Sequence, residues 1–378
     1  MLGRSLFAHD QAPRLSDILN PDRNSFGFIR LALASTVVIS HCYMLQAGNP
    51  AADPVTAITG YTSGQHAVQG FFVLSGLLVT RGLMAKKNII DFACARSLRI
   101  FPGLIACVLM VALVLGPIVS ALPPESYFTS AQVWKYIAAT LTLMTGSAPL
   151  PGVFDSHPMP DIVNLSLWTL KFETVCYALL GLAASLVFAS RWPLQIALTA
   201  GAITIAFLCS KHPALIESNR FIDSVRYFVL FFGTGSLLYF LRRHVVINGI
   251  VLTALAIAFA AAIGTRFCEV SVAVLLGYGM CWLSTLTFGP MRRFTQRHDL
   301  SYGIYIYSVP VTQTLLQVWP HIAVWPLVVA TGVLVLPLAV ASWLLVERPA
   351  MRLRTSAVAR IEKLRQALAG AERPAAPG

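Results

Sequence analysis

Charge is scarce in this chain. Asp, Glu, Lys and Arg together make up 12% of its 378 residues, whereas 56% are hydrophobic. A soluble domain could not keep that balance in water without aggregating, so a soluble enzyme or binding module is excluded. Cysteine is sparse and scattered: Cys42, Cys94, Cys107, Cys176, Cys209, Cys268 and Cys281 form no CxxC pair and no loop cluster. Neither a disulfide framework nor a zinc site is expected, and no metal is assigned. Internal repeats and polar stretches long enough for a separate soluble domain are also missing. The first apolar run begins late, contains Arg30 and is followed by no small-residue cleavage site, so no cleaved leader is expected.

Long apolar runs are abundant. A helix needs about 20 residues to cross roughly 30 Å of hydrocarbon. Runs of that order recur at 26–47, 65–84, 97–121, 162–190, 193–209, 221–241, 246–264, 268–288, 300–319 and 322–345. They predict an all-α polytopic membrane protein of about ten transmembrane helices, multi-pass in an inner (plasma) membrane. A polar lead (1–25) precedes the membrane domain (26–352), and a basic tail (353–378) follows it. The net charge of +12 is explained by placement rather than by nucleic acid. With both termini cytoplasmic, 21 of the 28 Lys and Arg residues fall in inner segments and four in outer ones, which is the positive-inside pattern. The long connection 122–161 is then external. Its amphipathic part, 130-SAQVWKYIAATLTLM-144, is predicted to lie on or dip into the outer face.

Ionisable groups within spans each cost about 3 kcal/mol on insertion scales and mark candidate sites. The first span carries two, Arg30 and His41. At 100° per residue their spacing of eleven puts them on one helical face, about 16 Å apart along the axis. Histidine exchanges its proton near neutral pH, and the arginine fork suits phosphate. The pair therefore reads as a base at one end and an anion site at the other. In the fourth span Glu173 requires a partner, which makes it a candidate to orient His41 or to pair with a cation. Arg96 and Arg99, one turn apart in 96-RSLRIFP-102, are expected near a helix N-terminus and suit a phosphate-bearing ligand. Ser75-Gly76 permits close helix approach. Asp223 and Arg226 are spaced to pair with each other.

Six segments occur in order: 30-RLALASTVVISH-41, 71-FFVLSG-76, 96-RSLR-99, 167-LWTLKFE-173, 301-SYGIYIYSVP-310 and 346-VERP-349. Together they resemble the acyltransferase-3 family of integral membrane O-acyltransferases over about residues 24–352. The resemblance implies ten core helices and transfer of an acyl group, most often acetyl, from cytoplasmic acyl-CoA to hydroxyls of extracytoplasmic glycans such as exopolysaccharide or lipopolysaccharide units. It implies His41 as the catalytic residue, with Glu173 assisting, and Arg30, Arg96 and Arg99 as donor-binding residues. Ser75, Lys171 and Tyr302 lie within its motifs as further binding candidates. Two departures stand out. Ser308 occupies a position where many members have histidine, and 164-NLS-166 replaces Asn-Gly-Ser.

The residues alone leave open whether His41 deprotonates the acceptor or carries the acyl group. They also admit a proton-coupled transporter or flippase for a sugar or lipid intermediate. The absence of repeat halves and of paired broken helices argues against that carrier. Expected partners are acyl-CoA, a glycan or glycolipid acceptor and membrane lipids, with no nucleic acid. The outer-loop residues Asp155, His157 and Asp161 are candidate acceptor contacts.

Overall fold

The computed structural model describes residues 12–20, 24–145, 148–189, 192–209, 219–286 and 289–371. Arg191 and Lys211, used in the charge count, lie outside the described residues, as do much of the lead and the end of the tail. The principal helices are α1 (Phe26–Ala47), α2 (Ser63–Lys86), α3 (Ile89–Met110), α4 (Ala131–Leu141), α5 (Trp168–Ala189), α6 (Trp192–Cys209), α7 (Arg220–Leu241), α8 (Gly249–Ala262), α9 (Cys268–Thr285), α10 (Ser301–Val318), α11 (Val324–Ser342) and α12 (Arg354–Ala371). No strand occurs among the described residues. The chain is an all-α multi-pass membrane protein.

Among the described residues, eight helices are long and apolar enough to cross a membrane, namely α1, α2, α3, α5, α6, α7, α9 and α11 with its continuation. The other two expected spans differ for opposite reasons. Helix α8 is apolar throughout but has only 14 residues, and none of them is buried, so it lies at the periphery. Helix α10 has 18 residues but carries Ser, Thr, Tyr and Gln along its length. Those groups are tolerated because α10 is interior: Ser308, Thr312 and Gln313 are all fully buried. Apolar side chains such as Leu182, Ile257 and Val333 remain exposed on outer faces, as lipid contact requires.

Small residues bring α2 and α7 together. A Cβ on Gly76 would lie 1.9 Å from the Phe232 carbonyl oxygen, and one on Gly235 would lie 1.9 Å from that of Val73. Nothing larger than glycine fits there, which bears out the expected role of Ser75-Gly76. Beside this crossing, the Thr80 and Ser236 hydroxyls hydrogen-bond at 2.8 Å. On the other side α1 packs against α10 and α11, where Cys42, Thr312 and Thr331 meet. Helix α4 is short. It buries Val133 and Tyr136 and exposes Trp134, so the amphipathic segment lies against the bundle rather than crossing it.

Two helices contain π-helical turns. One, Val111–Leu115, extends α3; the other, Trp343–Glu347, extends α11. The second turns Glu347 into the protein interior, with its side chain 1% exposed. Helix α3 begins at Ile89, earlier than predicted, because Asn88 caps it by accepting from the Asp91 amide at 3.0 Å. Arg96 and Arg99 therefore lie two or more turns inside the helix. The expected contribution of a helix N-terminus to anion binding does not apply to them, since it fades within the first turn.

Candidate active site

Two cavities lie in succession along α1. The proximal one, about 310 Å³, takes Arg30 from α1, Phe71, Ser75 and Leu78 from α2, Arg96 and Arg99 from α3, Thr169, Glu173 and Tyr177 from α5, and Tyr302 and Tyr305 from α10. The distal one, about 280 Å³, takes Val37, Ser40, His41 and Met44 from α1, Gln65 from α2, Ser166 and Trp168 from the start of α5, and Tyr227 and Phe228 from α7. Val68 and Tyr305 line both. They form the shared partition, and the Tyr305 hydroxyl is held at 2.6 Å from that of Thr169. Helix α1 thus carries Arg30 into one cavity and His41 into the other, as two residues eleven apart on one face would be.

The proximal cavity is an ion-pair network. Arg30 and Arg99 both bond Asp299, the latter at 2.8 Å, and Arg99 also donates to Glu347 at 2.7 Å. Glu347 accepts a further bond from Ser342 at 2.9 Å. Asp299 precedes α10 and accepts from the Ser301 hydroxyl at 2.6 Å. Enclosure by protein raises the Asp299 carboxyl pKa, but the two guanidiniums and Ser301 outweigh it and bring it to about 2. The arginines expected to be free for phosphate are therefore partly engaged. Arg96 differs. It lines the cavity with its guanidinium carbon 5.6 Å from the Tyr177 ring centre and makes no ion pair among the described residues.

Glu173 is not beside His41. It lies in the proximal cavity and accepts a hydrogen bond from Tyr177 one turn on, whose hydroxyl also meets Ser75 at 2.9 Å. The expectation that Glu173 orients His41 is corrected. Lys171, two residues earlier, points elsewhere: its ammonium donates to the Met144 carbonyl at 2.6 Å and lines neither cavity. It ties the 122–161 connection to α5. Tyr302 lines the proximal cavity, donates to the Ile100 carbonyl at 2.7 Å and stacks under Arg99. Asp223 and Arg226 pair as expected, and Glu269 joins them at 2.6 Å.

His41 is buried, 9% exposed, and its Nδ1 has no hydrogen-bond partner among the described residues. The preceding Ser40 donates at 2.6 Å to Asp53, which also accepts from the Ser63 hydroxyl (2.6 Å), the Ser63 amide (2.9 Å) and the Val55 amide (3.0 Å). Burial opposes ionisation of Asp53, yet these bonds hold its carboxyl below the ordinary value. Asp53 so ties the connection between α1 and α2 across the end of the distal cavity, where Pro50 forms part of the wall. Of the outer-loop candidates, His157 binds Gln313 of α10 at 2.9 Å and serves as an anchor. Asp299, Glu347, Asp53 and Ser166 were missed by sequence reasoning. Glu347 and Ser166 had signals, in the VERP segment and in 164-NLS-166.

The family model described as an acyltransferase domain matches residues 23–346. The chain belongs to the acyltransferase-3 family. It is similar to an O-acetyl transferase of Shigella phage Sf6, 28% identical over 86% of this chain and 95% of the relative. It is also similar to nodulation protein 10 of Rhizobium leguminosarum bv. viciae, 31% identical over 89% of this chain and 96% of the relative. No solved structure matches. In this acyltransferase the residue at the histidine position of many members, Ser308, is fully buried and bonds the Tyr305 carbonyl, outside both cavities. The 164-NLS-166 departure forms a 3₁₀ turn leading into α5, held by Asn164 donating to the Ile306 carbonyl at 2.8 Å.

Proposed function

We propose that this acyltransferase moves an acyl group, acetyl by the name of the phage relative, from cytoplasmic acyl-CoA to a hydroxyl of an extracytoplasmic glycan across an inner membrane. The observation that carries this reading is the pair of cavities that share Val68 and Tyr305 in their walls. The proximal cavity opens among Arg30, Arg96 and Arg99, whose unused N–H donors suit the phosphates of CoA. The pantetheine arm would run along Phe71, Leu74 and Leu78 toward the partition. Both termini are placed in the cytoplasm by the positive-inside pattern, so the distal cavity faces the acceptor side.

At the partition the acceptor hydroxyl oxygen attacks the thioester carbonyl carbon. His41 takes the hydroxyl proton as the new C–O bond forms. The C–S bond then breaks, and the proton passes to the thiolate, leaving an ester and free CoA. In the two-step variant the His41 nitrogen itself displaces CoA and the acceptor displaces the imidazole. Both variants use the same residue and the same two cavities. Against a carrier moving an intact sugar or lipid stands the absence of repeat halves and of paired broken helices in the sequence.

The test is His41→Ala at matched membrane abundance, with acetyl transfer from labelled acetyl-CoA to surface glycan as the readout. Loss of at least about 100-fold is expected, with polymer export intact. Export lost while acyl content per polymer is unchanged would favour the carrier and overturn the proposal.

A further inference from the structure

The distal cavity contains polar side chains that are already committed and two that are not. Ser40 donates to Asp53. Thr62 and Gln65 cap α2 for each other, each accepting from the other's backbone amide at 3.0 and 2.8 Å. Tyr227 accepts from Gln69, and Tyr305 is held by Thr169. Among the buried polar atoms of the residues on this wall, His41 Nδ1 and Ser166 Oγ have no hydrogen-bond partner among the described residues.

Serine hydroxyls near helix starts ordinarily cap a backbone amide or bond back to a nearby carbonyl. Ser166 does not, and the Ile162 carbonyl four residues back is instead taken by Gln313 at 2.9 Å. Ser166 itself is 1% exposed. A buried hydroxyl left unpaired works against the fold, and in a native protein such groups are few and call for a ligand or a water. Both residues line one cavity of about 280 Å³, in which a bound acceptor could supply the missing partners.

We infer that Ser166 is an acceptor-binding residue: its hydroxyl bonds one hydroxyl of a polyhydroxylated acceptor while His41 takes the proton of another. The inference rests on the acyl-transfer reading of the same site. Ser166 lies at the start of α5, and the same helix carries Thr169 to the partition and Glu173 and Tyr177 into the proximal cavity, on successive turns of one face. Donor and acceptor are thus read by one continuous helical stripe.

The experiment compares wild type with Ser166→Ala and Ser166→Cys, using labelled acetyl-CoA and surface glycan extracted from cells lacking the chain. The Michaelis constant for glycan should rise about three- to ten-fold in Ser166→Ala, the loss of one neutral hydrogen bond. The constant for acetyl-CoA should stay unchanged. Ser166→Cys keeps nearly the same volume with a weaker donor and should fall between. In detergent, Ser166→Ala should melt no lower than wild type, because it removes an unsatisfied group. An unchanged glycan constant, or a lower melting temperature with both constants altered, would overturn the inference. Wild-type protein that transfers no acetyl to the glycan would instead overturn the acyl-transfer reading, so the two failures are distinguishable.

Discussion

Replacing Arg99 and replacing Arg96 should produce different defects, although both arginines belong to one RSLR segment. Arg99 holds Asp299 at 2.8 Å and Glu347 at 2.7 Å, with its own side chain 15% exposed and that of Glu347 1% exposed. In Arg99→Ala, Asp299 keeps Arg30, but Glu347 keeps only the Ser342 hydroxyl. Removing one partner of a buried pair strands the other charge and costs about 3–5 kcal/mol. The lower end applies because Arg99 is not fully buried. Arg99→Ala should therefore lower the melting temperature of detergent-purified protein before any effect on donor binding can be read. Glu347→Gln in the same chain should restore much of the loss, because the stranded group is then neutral. Arg96 has no ion pair to break among the described residues, so Arg96→Ala should melt near wild type. Its acyl-CoA affinity should fall by roughly 10- to 150-fold, the equivalent of one charge-assisted bond of about 1.5–3 kcal/mol. Thermal unfolding and titration calorimetry on the two variants decide the matter. Arg99→Ala as stable as wild type, or Arg96→Ala binding acyl-CoA undiminished, would refute the division of roles.

Further expectations concern packing, acid stability and orientation. Gly76→Ala should prevent α2 and α7 from closing and leave little monodisperse protein in size-exclusion chromatography, whereas Gly82→Ala, with open space around it, should behave as wild type. Asp53→Ala should lower stability at neutral pH; because the carboxyl pKa is depressed in the fold, its contribution is complete above about pH 4 and is lost as pH falls through the folded value. The difference in melting temperature between wild type and Asp53→Ala should thus shrink in acid, and a constant gap down to about pH 3 would count against this role. Reporter fusions after Gly48 and near Pro151 should read external, and those after Lys87 and Arg243 cytoplasmic, as the charge distribution requires. A cytoplasmic signal near Pro151 would break that topology.

Most of the site was legible as residues and little of it as contacts. Arg30, His41 and Glu173 could be picked out because an ionisable group in an apolar run is conspicuous, Arg96 and Arg99 by their one-turn spacing, and Ser75 and Tyr302 through the family resemblance; all of them line one of the two cavities. Lys171 was equally conspicuous and yet is turned away, since a position beside Glu173 on a helix points to another face. Glu173 was placed in the right helix but with the wrong partner. It faces Tyr177 one turn away, and no local pattern says whether a carboxylate will meet a histidine on one neighbour or a tyrosine on its own helix.

The sequence by itself determined the class and the elements: an all-α, multi-pass membrane protein whose long helices follow from apolar length, with Arg30 and His41 committed to one face by the 3.6-residue period. Even there, composition alone overlooked why α10 could be so polar, because its hydroxyls and amides are satisfied by helices far away in the chain. It took tertiary packing to clamp Arg99 between Asp299 and Glu347, 200 and 248 residues away, while Arg96 makes no ion pair among the described residues. Packing also decided that two cavities meet at Val68 and Tyr305, and that Ser166 stands unpaired beside His41's cavity. The reason is that helix periodicity encodes which residues share a face but not which face another helix will cover. That choice is made by close packing, here by glycines at the α2–α7 crossing that admit no side chain.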